Sequence, residues 1–234
     1  MWLQRREWHA ELLDDPALDD PEVYNALDGL RRLNFISRSA GILWEEMKNL
    51  AHRRKQQHLR ALDIACGGGD VPLALMRRAK RIGVTLDLEA CDRNPRSLEY
   101  ARRLAERAGY AVKFFVHDAL LEPLPEDHDV VMCSLFLHHL QETQAVALLQ
   151  GMARAARGLV LVNDIRRSAA NFAMVWLGSR CLSRSPIVHM DAMLSMKNAF
   201  TKTELAGLAQ RAGLENFSIH THWPARMLLR YEKT

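Results

Sequence analysis

Leu62-Asp63-Ile64-Ala65-Cys66-Gly67-Gly68-Gly69-Asp70 is the stretch whose reading decides the fold. A short apolar run ends in an acid and then in three consecutive glycines. An apolar helical pattern follows from Val71 to about Ala79. Glycines between a strand and a helix let the backbone turn sharply and let a ligand come close where a Cβ would stand. Three details narrow the ligand. The dinucleotide fingerprint needs a third glycine for close helix packing, and Pro72 occupies that place. No Gly-Lys-Ser/Thr ending marks a nucleoside-triphosphate loop. Asp63, so close to the glycines, suits a ligand that carries positive charge and is a poor companion for a pyrophosphate.

Outward from this turn the texture alternates. Strands are expected at Leu59–Ile64, Thr85–Cys91, Val112–His117, Asp129–Leu135 and Leu159–Val162. Helices are expected at Val71–Arg81, Pro95–Ala108 and Gln141–Ala155, with Gly158 closing the last. Such alternation predicts a doubly wound parallel sheet covered on both faces. Right-handed crossovers would gather the strand carboxyl ends on one edge, where ligands bind. Asp92 directly follows the second strand, where a carboxylate can accept from both ribose hydroxyls. Asp118 directly follows the third, within reach of an adenine amino group. After residue 200 a helix at Lys202–Ala212, capped by Thr201, precedes β-like runs at Asn216–Thr221 and Arg226–Tyr231.

The glycine turn, with Ala90-Cys91-Asp92-Arg93-Asn94-Pro95, His117-Asp118-Ala119 and Asp129-Val130-Val131-Met132-Cys133-Ser134, resembles the class I S-adenosylmethionine-dependent methyltransferases over roughly residues 59–234. Ala65 stands where the first glycine of the motif is usual. The resemblance implies a seven-stranded Rossmann-like sheet in the order 3-2-1-4-5-7-6 with strand 7 antiparallel. It also implies a cofactor set. Asp63 and the loop at Ala65, Cys66, Gly67 and Gly69 would hold the methionine part, Asp92 and Arg93 the ribose region, and Asp118 and Ala119 the adenine, with Ser134 nearby.

In this class the residues after strand 4 face the methyl acceptor, and here they read Ser134-Leu135-Phe136-Leu137-His138-His139-Leu140. The Asn/Asp-Pro-Pro-aromatic motif of amino-directed nucleic-acid enzymes is absent. Leu-x-His-His resembles small-molecule enzymes of the quinone-biosynthesis and polyketide-tailoring kinds. His138 or His139 is the expected catalytic base, since imidazole titrates near neutrality. Adjacent residues cannot share one orientation, so at most one of the two is expected to face the acceptor. Asn163-Asp164 follows strand 5, but residues 134–139 contain no acid, so no metal is expected. Residues 1–58 read as a helical cap, with turn signals at Asp14-Asp15-Pro16 and Asp19-Asp20-Pro21. Residues 165–200 read as a lid insertion in a methyltransferase domain spanning 59–234. Asn34, Arg38, Asn163, Arg166 and Met190 are the expected substrate contacts.

Composition limits the alternatives. The chain has 234 residues, net charge +4 and pI near 9.0. The short basic run His52-Arg53-Arg54-Lys55 suits a solvated helix end better than a nucleic-acid stripe. The four cysteines show no CxxC and no disulfide spacing, and no apolar run reaches the roughly 20 residues of a membrane span. The expectation is a cytoplasmic enzyme that methylates a small apolar aromatic, at a phenol or quinol oxygen. RNA methylation, ring C-methylation and a non-catalytic cofactor-binding module are the alternatives.

Overall fold

The computed structural model describes residues 5–15 and 17–233. Pro16 of the first turn signal lies outside them, and Leu12–Asp14 form a single 3-10 turn. α1 (Asp20–Ile36) starts where the second signal places it. Asp19 and Glu22 form a reciprocal capping box, which satisfies two otherwise orphaned N–H groups. Arg38, at φ 57°, breaks the chain between α1 and α2 (Ser39–Arg54). The basic run is the last turn of α2. There Arg53 binds Glu232 at 3.0 Å and Arg54 lies 3.6 Å from Asp129.

The alternating region follows as β1 (His58–Ile64), α3 (Asp70–Arg81), β2 (Thr85–Asp92), α4 (Pro95–Ala108), β3 (Lys113–Val116), β4 (His128–Ser134), α5 (Glu142–Ala155) and β5 (Ala156–Ile165). Next come α6 (Ala169–Leu182), α7 (Pro186–Asn198), α8 (Lys202–Arg211), β6 (Ser218–His222) and β7 (Arg226–Glu232). One expectation needs correction. Gly158 does not close α5, because β5 begins at Ala156 and runs through it. A Cβ there would meet the Arg54 guanidinium at 2.5 Å, so the glycine makes room for a side chain rather than ending a helix.

Among the described residues, seven strands form one sheet in the order β3-β2-β1-β4-β5-β7-β6. β7 pairs antiparallel with β5 and β6, while the other pairs are parallel. Strand residues alternate between two cores because successive side chains point to opposite faces. Leu62, Ile64, Val160 and Val162 pack with Leu148, Met152 and Leu205 from α5 and α8. Leu59, Ala61, Leu159 and Leu161 pack with Leu43, Met47 and Leu75 from α2 and α3. Burying both faces of these strands removes nearly all their apolar area from water, at roughly 25 cal/mol per Å². β1 lies between β2 and β4, so the strand order reverses there and opens a crevice at the carboxyl edge. α1, α6 and α7 pack against one another, and the turn at Leu12–Asp14 packs on α7.

Candidate active site

A cavity of about 1400 Å³ opens along this edge. It exceeds the ~300–1,000 Å³ of ordinary ligand pockets, so a cofactor and a second molecule fit together. Of the expected cofactor residues, Asp63, Ala65, Cys66, Gly67, Asp92, Arg93, Asp118, Ala119 and Ser134 line it. Gly69 does not. It sits at φ 74°, and a Cβ on it would lie 2.8 Å from the Ala101 Cβ on α4. Gly67, at φ 50°, has open space where its Cβ would be.

The two glycines therefore serve different ends. Gly69→Ala should cost about 2–3 kcal/mol of stability, the left-handed penalty plus displacement of α4. Gly67→Ala should cost only the ~1 kcal/mol of strain and show its effect in cofactor affinity instead. Urea denaturation beside calorimetry checks both. Equal stability losses with unchanged affinity would contradict the division.

Asp63 is 1% exposed, and its Oδ1 has no hydrogen-bond partner. Burial pushes its carboxyl well above the usual range, and the charges of Asp70 and Asp92 add to the effect. A buried acceptor without a donor, on a cavity wall, fits a ligand that brings a cation. Asp92 accepts from the Gly67 N–H and the Asn94 N–H, both at 2.8 Å, and so ties the glycine turn to the end of β2. Asp118 holds its own turn through the Leu120 N–H at 2.9 Å. Three strand-end acids, an open glycine and an unsatisfied carboxylate suit the ammonium, sulfonium, ribose and adenine of S-adenosylmethionine.

At the other end lie His138 and His139, in a 3-10 turn at Leu137–His139. His138 is 3% exposed. Its Nδ1 lies 2.6 Å from Asp164 Oδ1, and its N–H donates to Asp164 Oδ2 at 2.9 Å. Its Nε2 lies 3.4 Å from Glu11 Oε1. Burial opposes charge on the ring, but Asp164 and Glu11 outweigh it, and the pKa is pushed up to about 10. An imidazolium flanked by carboxylates has no lone pair to offer, so His138 in this arrangement is a charge rather than a base. His139 is partly exposed to the cavity. Its ring centroid lies 4.4 Å from that of His138, and its Nε2 lies 3.7 Å from Glu11 Oε2.

Glu11 arrives on a strap, residues 5–13, that crosses this end of the cavity. Arg6 donates to the His138 and Leu140 carbonyls at 2.9 and 2.6 Å and stacks on Phe200. The Trp8 indole donates to the His139 carbonyl at 2.7 Å. Asp191 on α7 accepts from the Leu12 and Leu13 N–H groups at 2.7 and 2.9 Å. Ser195 donates to Glu11 at 2.5 Å. The sequence reading places the strap in the 1–58 cap and Asp191 in the 165–200 lid, but singles out neither Glu11, Asp191 nor Arg226, which also lines the cavity. Arg226 opens β7, and no local pattern in the chain sets Asp191 or the strap apart.

The expected substrate contacts divide. Asn34 lines the cavity. The others are not among its lining residues. Arg38 is exposed in the α1–α2 linker. Asn163 is fully buried in β5 and donates to Ser134 Oγ at 2.9 Å, so it acts on a wall residue from behind. Arg166 donates its N–H to the Ala225 carbonyl, and Met190 is 55% exposed on α7.

Residues 61–158 match the methyltransferase domain family. A ubiquinone biosynthesis O-methyltransferase of Cereibacter sphaeroides is 28% identical over 79% of this chain and 70% of its own length. An O-methyltransferase family 2 protein from Planctomyces limnophilus, solved with apigenin, superposes at TM-score 0.57 with 21% identity over 75% of this chain. The chain spans only 50% of that protein. The magnesium protoporphyrin IX methyltransferase of Synechocystis, solved with S-adenosylhomocysteine, superposes at TM-score 0.58. It covers 95% of this chain and 91% of its own at 11% identity.

Proposed function

We propose that this chain, a class I S-adenosylmethionine-dependent methyltransferase, methylates a hydroxyl oxygen of a small, largely apolar aromatic molecule. Its membership of that class rests on the domain match and the sheet order. The acceptor is our reading, and one observation carries it. The cavity runs without interruption from the carboxylate-lined cofactor edge to the two histidines, between Leu135, Phe136, Ile165, Met174, Val175 and Val188. Such walls favour a flat apolar ring, and the histidine end favours a polar atom on it. The O-methyltransferase relatives support the same reading.

Bound at the edge, S-adenosylmethionine supplies an electrophilic methyl group. The protein supplies alignment, exclusion of water and a place for the hydroxyl proton. His138, held positive by Asp164, favours a phenolate over a phenol at the same point. The hydroxyl proton leaves at the His139 and Glu11 end. The strap closes over the acceptor end, and Arg6 and Trp8 latch it to the histidine turn.

A panel of phenols, quinols and quinone-ring carbons with labelled cofactor tests the reading. Transfer to oxygen on at least one phenol is expected. Transfer only to RNA or only to ring carbon would overturn it. His139→Ala should lower kcat by about 100-fold, the lower range for lost proton transfer, while S-adenosylhomocysteine affinity stays unchanged.

A further inference from the structure

We infer that Glu11, His138 and His139 form a binding site for a zinc-class divalent metal ion at the acceptor end of the cavity. The site deepens the acceptor reading above and rests on it for its catalytic meaning, though not for its existence.

The distances carry the argument. A charge-assisted hydrogen bond between imidazolium and carboxylate spans about 2.7–2.9 Å. The Glu11 oxygens stand 3.4 Å from His138 Nε2 and 3.7 Å from His139 Nε2. Those separations are long for hydrogen bonds. A tetrahedral ion with bonds of about 2.0–2.1 Å would place its ligand atoms roughly 3.3–3.4 Å apart. One ligand atom from each of the three residues lies within 4.8 Å of the other two.

The surroundings are built for the same purpose. His138 Nδ1 is engaged by Asp164 at 2.6 Å, which fixes the ring and turns Nε2 toward Glu11. A carboxylate behind a ligating histidine is the usual means of orienting such a ligand. Ser195 donates to Glu11 Oε1, the oxygen that also faces His138 Nε2, and so fixes the carboxylate. Charge also balances. Metal binding would displace the proton that His138 carries in the metal-free protein, and a dication beside two neutral imidazoles would then cancel the charges of Glu11 and Asp164. Two nitrogens and one oxygen suit a borderline ion such as zinc rather than magnesium or calcium, which prefer all-oxygen sites. Sequence reasoning expected no metal because it sought acids at residues 134–139, while the acid comes from residue 11. Three protein ligands leave a fourth position open toward the cavity, as in catalytic rather than structural zinc sites. An acceptor hydroxyl bound there would lose its proton more readily.

The test is zinc binding by the full chain, stripped with a chelator and titrated in competition with a chromophoric zinc indicator. One equivalent is expected. Glu11→Gln and His139→Ala should each weaken binding at least 10-fold, with S-adenosylhomocysteine affinity unchanged as the control for folding. Cobalt in place of zinc should give the visible absorption of a four-coordinate nitrogen–oxygen site in the unaltered chain, which needs no variant. The inference is overturned if no zinc is retained against the indicator. It is also overturned if both variants bind zinc as well as the parent, or if Cys181→Ser alone abolishes binding. Methyl transfer to phenols by metal-free protein would remove the ion's catalytic meaning while leaving the acceptor reading intact. Zinc bound as expected with no phenol methylated would do the reverse.

Discussion

Asp63→Asn should weaken S-adenosylhomocysteine binding by roughly 100-fold, the equivalent of losing a charged hydrogen bond worth about 2–3 kcal/mol. The expectation rests on the unpartnered Oδ1 of Asp63 at the cavity wall. No protein donor satisfies that oxygen, so a ligand ammonium has no competitor for it. The fold should not suffer, because the amide fills the same space and removes a buried charge.

The same residue makes binding proton-linked. Burial, with Asp70 and Asp92 nearby, holds the Asp63 carboxyl above its ordinary value in the free protein. A cationic ligand favours the ionised form, so binding releases a proton. Affinity should therefore rise as pH rises toward the raised pKa of Asp63. Stability of the free protein moves the other way. The unfolded chain ionises Asp63 at lower pH, so stability falls as pH rises through the folded value. Calorimetry in two buffers of different ionisation enthalpy reads the released proton. Identical heats, or an Asp63→Asn variant with parental affinity, would remove Asp63 from the site.

Asp164→Ala should be the most destabilising single change at the acceptor end. Removing one partner of a buried ion pair costs about 3–5 kcal/mol, because the other charge is left stranded. Asp164 is buried, and it also receives the N–H groups of His138 and Ile165. Its carboxyl is held below the ordinary value. Burial would raise it, and the charge and hydrogen bond of His138 prevail. At roughly 2–4 °C per kcal/mol for a chain of this size, the melting temperature should drop by about 10 °C. The contact between Arg157 and Asp127 has the same 2.6 Å length but is more than half exposed. Asp127→Ala should change stability by less than about 1 kcal/mol. Scanning calorimetry on the two variants compares them directly. Equal shifts would mean that distance, not burial, sets the strength of these pairs.

The parallel sheet and the cofactor edge were legible in the chain because their signals are local. The central strands β4 and β5 are buried on both faces and so read as near-continuous apolar runs. The residue that follows it falls on the ligand edge by connectivity alone, which is why Asp63, Asp92 and Asp118 could be placed from their positions. Gly158 misled for a local reason too. A glycine after a helix usually ends it, and nothing nearby in the chain announces an arginine from residue 54. Met190 shows a different failure. α7 is rich in apolar residues around its circumference, so periodicity does not say which side turns inward. Packing against α6 and the strap decides that, and Met190 falls outside.

The amino-acid sequence by itself determined a glycine turn backed by three strand-end acids, and with it the kind of cofactor the edge accepts. It also placed two histidines after β4, on the same edge. Only the tertiary structure decided what those histidines are. Two adjacent imidazoles are chemically alike until a neighbour distinguishes them, and the neighbours come from residues 11 and 164. A carboxylate's field acts through space and falls with distance, so the charge on His138 depends on where distant segments of the chain are folded. No spacing along the sequence encodes that distance.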